Sequence, residues 1–362
     1  MPITLGVTRE FEFTANDLSN NNCIFPRDPR NSVFVQLTDF RTKRVSAAPS
    51  QYCAFPYIVK LGSSLVGLYS DGPAHASSER QVMIRSDDGG LTWSSVTFTE
   101  NGSGTYDTTL LSGLLASGAS VVLKVWTIKN NSGTLAVTSV STVESGGVTY
   151  ALWSRPIPSP TGTVLYRTGY GSNGTNTQTA MFQSSDGGVT WTFRSLMFAT
   201  AGRNYSEADM VRTTGDNLVA VVREDLGAGN PLYYITSANN GTSWSAPVAI
   251  PTTTVNGRQP NLMKLSDGSY ILAVGDRAGV SGFSGSGDRV AGVDTTGITM
   301  VRSTDALTWG TRTSLAGMYS TDGGQPFVSE TDAGRICAVF YHRRGINKQP
   351  EIGCSMVNVA AL

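Results

Sequence analysis

The 362-residue chain predicts an all-β fold, a six-bladed β-propeller of four-stranded antiparallel blades, on the strength of two interleaved repeats. The first is a turn recipe at residues 86–93 (SDDGGLTW), 184–191 (SSDGGVTW), 237–244 (SANNGTSW) and 303–309 (STDALTW). Ser and Asp side chains bond the turn's own N–H groups, Gly supplies positive φ, and Trp closes the end with a large apolar body. The fourth copy is one residue short and lacks its Gly. Ser86 and Ser184 stand 98 residues apart, two blade periods of about 49. A degenerate copy is therefore expected between them, and residues 143–150 (VESGGVTY) fit it.

The second repeat is a strand, a tight polar turn and another strand. It reads PYIVKLGSSLVGLY from Pro56, ADMVRTTGDNLVAVV from Ala208, PNLMKLSDGSYILAV from Pro260 and PFVSETDAGRICAVF from Pro326. Weaker versions start near Thr108 and Pro158, which makes six units. Apolar and β-branched runs bounded by Gly, Asp, Ser and Asn are the composition of short antiparallel strands. The sixth unit ends after a third strand near Val357, so the N-terminal run ITLGVTREFEF is expected to supply the fourth and close the ring, removing its open edges.

Composition sets limits. The repeat outweighs the length prior, so residues 1–362 read as one domain. With 27 basic and 27 acidic residues the formal charge is zero, and nothing electrostatic favours nucleic acid or an anionic membrane as partner. No secretory signal or transmembrane run is read in the sequence. Cys23, Cys53, Cys337 and Cys354 have no metal-ligand spacing and read as buried thiols, so no metal or other cofactor is expected.

Strand parity locates the functional end. In a four-stranded meander, strand one begins and strand two ends on the same side, and the turn between strands three and four lies on the other. The Ser/Asp/Trp hairpins are then structural, and chemistry belongs opposite them. That end collects Tyr205 and Glu207 before strand one of the fourth unit and Arg223 after its strand two. The fifth unit adds Arg258, Gln259, Asp276 and Arg277, and the sixth His342, Arg343 and Arg344. Arg223, Arg277 and Arg343 read as equivalent positions in consecutive blades. Aimed into one basin, they would bind a carboxylate through charge-assisted, often bidentate hydrogen bonds. The alternative is ordinary ion pairing with Glu224 or Asp225. Glu207, held charged by flanking arginines, suits a base or a stabiliser of a cationic transition state. His75, one of two histidines, stands on the same rim, with a purely structural role as the alternative.

With these hairpins and this rim, nearly the whole chain resembles the sialidase superfamily of six-bladed propellers. YSEADMVRTTGDNLVAVVRED is similar to the family segment that carries the catalytic Glu and the second arginine of a carboxylate-binding triad. The resemblance implies those roles for Glu207 and Arg223, with Arg277, or Arg289 in GVSGFSGSGDR, as the next arginine. Departures are specific. Ala54-Phe55-Pro56 stands where the family carries Arg-Ile-Pro, the general-acid Asp would fall near Ser78 and Glu79, and the nucleophilic Tyr would fall near Gln325, with Tyr319 six residues earlier. This pattern is closer to the endosialidases of phage tailspikes, in which a His and a Tyr of the first blade join the Glu and two arginines; His75 and Tyr52 fill those places.

The resemblance implies hydrolysis of an α-linked sialic acid or related nine-carbon acidic sugar, in a sialic-acid-type glycan or acidic polysaccharide. Arg223, Arg277, Arg343 or Arg289 and the tyrosines Tyr52 and Tyr205 would hold the substrate, and Glu207 would act with His75 and with Tyr319 or water. A non-catalytic sialoglycan-binding propeller and a polysaccharide lyase using His75 or a Tyr as base are the alternatives. A phage tail component, a secreted enzyme working on cell-surface glycan and a cytoplasmic protein all fit the sequence, and it leaves the oligomeric state open.

Overall fold

The computed structural model describes residues 41–44, 52–75, 80–96, 113–225, 231–276, 297–317, 323–331, 334–343 and 349–362. They form six antiparallel sheets, one per blade. A first strand, β1 (Arg41–Arg44), precedes blade 1, which comprises β2 (Tyr52–Leu61), β3 (Ser64–Gly72), β4 (Arg80–Ser86) and β5 (Ser94–Val96). Blade 2 shows β6 (Ser120–Leu123), β7 (Trp126–Asn131) and β8 (Thr134–Ser139). The hairpin of β9 (Thr142–Ser145) and β10 (Val148–Leu152) leads into blade 3, which continues with β11 (Ile157–Pro158), β12 (Leu165–Ser172), β13 (Thr177–Ser184) and β14 (Thr192–Phe198). Blade 4 is β15 (Tyr205–Arg212), β16 (Leu218–Glu224), β17 (Leu232–Ser237) and β18 (Val248–Ala249). Blade 5 is β19 (Arg258–Lys264), β20 (Tyr270–Asp276), β21 (Gly297–Ser303) and β22 (Thr313–Gly317). Blade 6 is β23 (Gly324–Glu330), β24 (Arg335–His342) and β25 (Glu351–Asn358), completed by β1.

An N-terminal strand thus closes the ring: Arg41 lies opposite Met356 and Arg44 opposite Gly353. The run expected to do this, ITLGVTREFEF, lies outside the described residues.

The strands are apolar on both faces because each blade is sandwiched between two others. Every residue of β3 is buried. A hydrophobic cluster fills each seam: Leu68 and Met83 meet Leu123 and Ile128 between blades 1 and 2, and Val122 meets Phe182 and Trp191 between 2 and 3. Met181 and Phe198 meet Met210 and Ile235, then Val219 and Val221 meet Leu272 and Val301. Ile271 and Met300 meet Val328 and Phe340, and Cys337, Val339 and Cys354 meet Ile58 and Leu65 to finish the circle. Removal of this apolar area from water is the main force holding blade to blade. Cys53, Cys337 and Cys354 are buried free thiols, as expected; Cys23 lies outside the described residues.

The Ser/Asp/Trp hairpins lie between strands three and four, as their composition requires. Ser86 Oγ accepts from Gly90 N at 2.7 Å, Asp88 from Thr92 N at 2.8 Å, and Trp93 Nε1 donates to Gly90 O at 3.1 Å. The same bonds recur at Ser184, Asp186 and Trp191, and the Ser and Asp/Asn bonds at Ser237 with Asn239 and Ser303 with Asp305. In the fourth copy Ala306 takes the left-handed conformation (φ 62°) that glycine holds elsewhere. The stretch VESGGVTY is not a fifth copy. It is a two-residue hairpin, Ser145 opposite Val148 with Gly146 and Gly147 both at positive φ, and it joins the blade 3 sheet through β10. The turn it was expected to make in blade 2 is made by Ser132 and Gly133 between β7 and β8.

Polar groups from several blades meet near the ring's axis. Asp209 accepts from Met210 N (2.9 Å), Leu262 N (2.8 Å) and Asn261 Nδ2 (2.7 Å), and Asn261 Oδ1 accepts from Val328 N (2.8 Å). Arg155 reaches over from blade 3 to bond Val328 O, its guanidinium 4.6 Å from the Phe327 ring centre. Tyr57 Oη donates to Trp153 O at 3.1 Å. Burial pushes the Asp209 carboxyl up to about 7, against the Arg155 charge and its three N–H donors.

Two outcomes follow from the hairpins. A Cβ on Gly90 would sit 2.9 Å from Cys337 Sγ at φ +100°, so Gly90→Ala should lower the unfolding free energy by about 1–3 kcal/mol in denaturant titration. Burial is the largest single influence on Asp88 and would raise it, but the bonds from Thr92, Ser86 and Leu91 together outweigh it and hold the carboxyl down to about 2, and the Thr308 and Leu307 N–H groups hold Asp305 there too. A depressed folded value means the contribution is complete above the unfolded carboxyl range, near pH 4, and fades as pH falls toward about 2. The denaturation midpoint should therefore drop between pH 4 and 2, and drop less in an Asp88→Asn, Asp305→Asn double variant.

Candidate active site

Register places the starts of strands one and the ends of strands two at one end of the ring, with the Ser/Asp/Trp hairpins at the other: Tyr205 opposes Glu224, whereas Leu218 opposes Ser237. At that end four blades share one irregularity. Ala54 pairs with Ser70 and Tyr57 with Leu68; Tyr205 with Glu224 and Ala208 with Val222; Arg258 with Gly275 and Asn261 with Ala273; Gly324 with Tyr341 and Phe327 with Val339. In each, two residues of strand one face one residue of strand two, which is a β-bulge. Three copies hold a proline in the bulge, Pro56, Pro260 and Pro326, where the missing N–H costs no ladder bond. The preceding Phe55, Gln259 and Gln325 all have positive φ, at 57°, 54° and 44°.

Blade 4 makes the same bulge with Ser206 and Glu207, and the residue facing it is Arg223. This geometry brings the two together. Arg223 Nη1 donates to Glu207 Oε2 at 2.7 Å and to Oε1 at 3.0 Å, and Nε lies 2.6 Å from Asp225 Oδ1. Ser206 Oγ donates to Glu207 Oε2 at 3.2 Å. The Glu207 side chain is 9% exposed and that of Arg223 15%, so the pair is largely shielded yet reaches solvent. No described residue takes a bond from Arg223 Nη2.

Around the pair stand Tyr170 at the end of strand two in blade 3 and Arg258 in front of the blade 5 bulge. Burial pushes the Tyr170 phenol up to about 12, with the Glu207 charge adding to it and Arg223 opposing. Burial also lowers Arg258, and the Arg223 charge lowers it further while Glu207 and Asp225 act the other way. Tyr341, opposite Gly324, is the next group toward blade 6. Gly275 and Gly324 let blades 5 and 6 close on each other here, since a Cβ on Gly275 would fall 2.9 Å from Gly324 Cα. The closed seam seats Gln259, whose Oε1 accepts from Gln325 N at 2.8 Å.

Blade 1 contributes an aromatic quarter. Tyr52 Oη and His75 Nδ1 share a hydrogen bond of 2.5 Å, with the rings edge-on. Phe55 lies 5.3 Å from the His75 ring and 5.4 Å from that of Tyr341, and Lys124 Nζ of blade 2 sits 5.4 Å over Phe55. His75 is exposed; Tyr52 is buried.

The structure thus joins Glu207 with Arg223 and Tyr52 with His75. Other expectations fare differently. Tyr205 is 2% exposed, its ring against Phe198 and Tyr233 in the core between blades 3 and 4, which is a packing role in place of the expected substrate contact. Arg343 follows β24 at the correct end, but counted from the bulge the residue equivalent to Arg223 is Phe340, so the two arginines are three positions out of step. Arg277, Arg289, Arg344, Tyr319, Ser78 and Glu79 lie outside the described residues. The sequence places Arg258 at this end without giving it a role, and it leaves Tyr170 out although Tyr170 satisfies the parity rule by closing a strand two. Among the described residues no three His, Cys, Asp or Glu side chains cluster as metal ligands.

No curated protein matches this chain. A solved protein of unknown function from Dyadobacter fermentans DSM 18053 superposes with a TM-score of 0.63 at 15% identity, covering 88% of this chain and 99% of that one. The NanB sialidase from Streptococcus pneumoniae gives 0.55 at 12% identity, covering 88% and 70%. The alpha-L-arabinanase of Penicillium chrysogenum, complexed with arabinobiose, gives 0.54 at 13%, covering 89% and 98%. Likeness at such identities is likeness of fold. Residues 68–332, well over half of the sequence, match the BNR repeat-like domain, and the chain belongs to that family.

Proposed function

We propose that the protein is a glycoside hydrolase of sialidase type, cleaving an α-linked sialic acid or a related nonulosonic acid from a glycan. The observation that carries this reading is the Glu207–Arg223 pair, 2.7 Å apart at the bulge of blade 4, at the open end of the ring. Sialidases and an arabinanase among similarly folded proteins support a glycosidase.

The chemistry follows from the neighbours. A carboxylate of the sugar meets the Nη2 donors of Arg223, since Nη1 and Nε are engaged by Glu207 and Asp225. As the glycosidic C–O bond breaks, positive charge develops on the ring, and the adjacent Glu207 carboxylate stabilises it. Water then adds its oxygen to the anomeric carbon and its proton goes to the leaving alcohol, with Glu207 positioned to relay it. Tyr170, kept protonated by burial, presents a phenol O–H beside Glu207. The Tyr52–His75 pair faces the same rim, where the aglycone or next sugar would lie. The natural substrate is a sialic-acid-type glycan or acidic polysaccharide, as on a cell surface attacked by a phage tail or secreted enzyme.

Glu207→Gln keeps the shape of the side chain and one acceptor for Arg223. Turnover of a fluorogenic sialoside or of polysialic acid should fall by roughly 10²–10⁴-fold, while the thermal transition stays close to wild type. Undiminished turnover in that variant would refute the reading, and saturable binding with no product from wild type would move the protein to the lectin class. In Arg223→Lys the single ammonium cannot serve Glu207, Asp225 and substrate together, so KM should rise by about 10-fold or more.

A further inference from the structure

The residue directly in front of the bulge is Ala54 in blade 1, Tyr205 in blade 4, Arg258 in blade 5 and Gly324 in blade 6. Tyr205 is turned into the core and Ala54 and Gly324 carry no functional group, so Arg258 is the one charged side chain this position offers. It sits in an Arg-Gln-Pro triplet that repeats the Ala-Phe-Pro of blade 1 and the Gly-Gln-Pro of blade 6. We infer that Arg258 is the second guanidinium of the carboxylate site, so that the arginine missing from the bulge of blade 1 is supplied at the same bulge of blade 5. This rests on the acidic-sugar reading above and goes beyond it by naming the residue that selects an acid over a neutral sugar.

Three observations support the assignment. First, β19 packs directly on β15 and β16, and Arg258 opens β19 at the height of the Glu207–Arg223 pair. Second, Arg258 is half-buried and close enough to Arg223 for the two positive charges to repel, a repulsion the Glu207 and Asp225 charges oppose. Two shielded guanidiniums from neighbouring blades held in this way form a natural seat for an anion, because a bound carboxylate relieves their repulsion. Third, the backbone that carries Arg258 is rigidly placed. Gly275 opposite it abuts Gly324, and the left-handed Gln259 beside it is tied to Gln325 N at 2.8 Å. Such a support fixes the direction of a charged group far better than an open loop.

Titration calorimetry or NMR titration with N-acetylneuraminic acid and with its methyl ester tests the assignment, since the two ligands differ only at the carboxylate and neither is consumed. Wild type should prefer the acid. Arg258→Ala and Arg258→Met should lose affinity for the acid on the order of 10- to 100-fold while binding the ester as before, and Arg258→Lys should recover part of the preference. A merely structural role would lower both ligands together, and that result overturns the assignment, as does an unchanged preference in all three variants. If wild type itself binds neither ligand, or both equally, the acidic-sugar reading fails and this inference falls with it; preference in wild type that survives in the variants removes Arg258 alone.

Discussion

The strands nearest the axis are packed against neighbouring blades on both faces, and this burial governs everything else. β15 runs as a buried strand from Tyr205 through Val211, and β19 and β23 are nearly as enclosed. A polar group in such a place needs a partner, because an unpaired buried donor or charge is costly. At the axis Asp209, Asn261, Arg155 and Tyr57 are joined to one another or to backbone groups of adjacent blades, while Arg155 Nε is left without a bond. Their bonds tie blades together at the axis. Charge that must meet solvent can only stand at the strand ends.

The bulge is what shapes one of those ends. An uninterrupted antiparallel pair would send successive side chains to alternate faces. Two residues facing one change that phase for a single step, which turns Glu207 toward its opposite number Arg223. In three blades the bulge holds proline and a left-handed residue before it, so the distortion is built from residues that tolerate it or are forced into it. In blade 4 an acid takes the proline's place. The structural device and the candidate catalytic carboxylate therefore occupy the same backbone position.

Much of this was legible in the sequence. Turn chemistry gave away the hairpins, their period gave the blades, and parity separated the hairpin end from the end where Glu207 and Arg223 stand. Glu207 and Arg223 followed because the spacing between them spans one strand pair and its turn. The rest depended on register, which letters alone do not carry. The sequence repeats line up on their first apolar residues, setting Ala208 against Pro56, Pro260 and Pro326; the ladder instead sets Glu207 there. A separate offset of three positions at the ends of strands two hides the fact that Arg223 and Arg343 are not equivalent. Tyr205 was misjudged because a tyrosine at a strand start can face a rim or a seam, and only the packing of Phe198 and Tyr233 decides between them. VESGGVTY failed as a hairpin copy for a different reason. It lacks an Asp or Asn at the third motif position and has two consecutive glycines, which favour a two-residue turn with both φ positive.

The end that carries Glu207 and Arg223 divides into unlike halves, and the division suits the acidic sugar proposed as substrate. Blades 4 and 5 supply Glu207, Arg223, Asp225 and Arg258, while blades 1 and 6 supply Tyr52, Phe55, His75 and Tyr341. Tyr341 touches both halves: its ring lies 5.4 Å from Phe55 and 6.5 Å from Tyr52, and its hydroxyl is within electrostatic reach of Arg258. A pyranose carrying a carboxylate likewise has one charged corner and broad C–H faces, and the latter pack on aromatic rings, which bring large apolar area with a polar tip. A neutral furanose would use the aromatic half and draw nothing from the charges of Arg223 and Arg258. The charged half therefore separates the proposed substrate from that of a neutral-sugar hydrolase on the same fold, and it does so with groups that the bulges of blades 4 and 5 place.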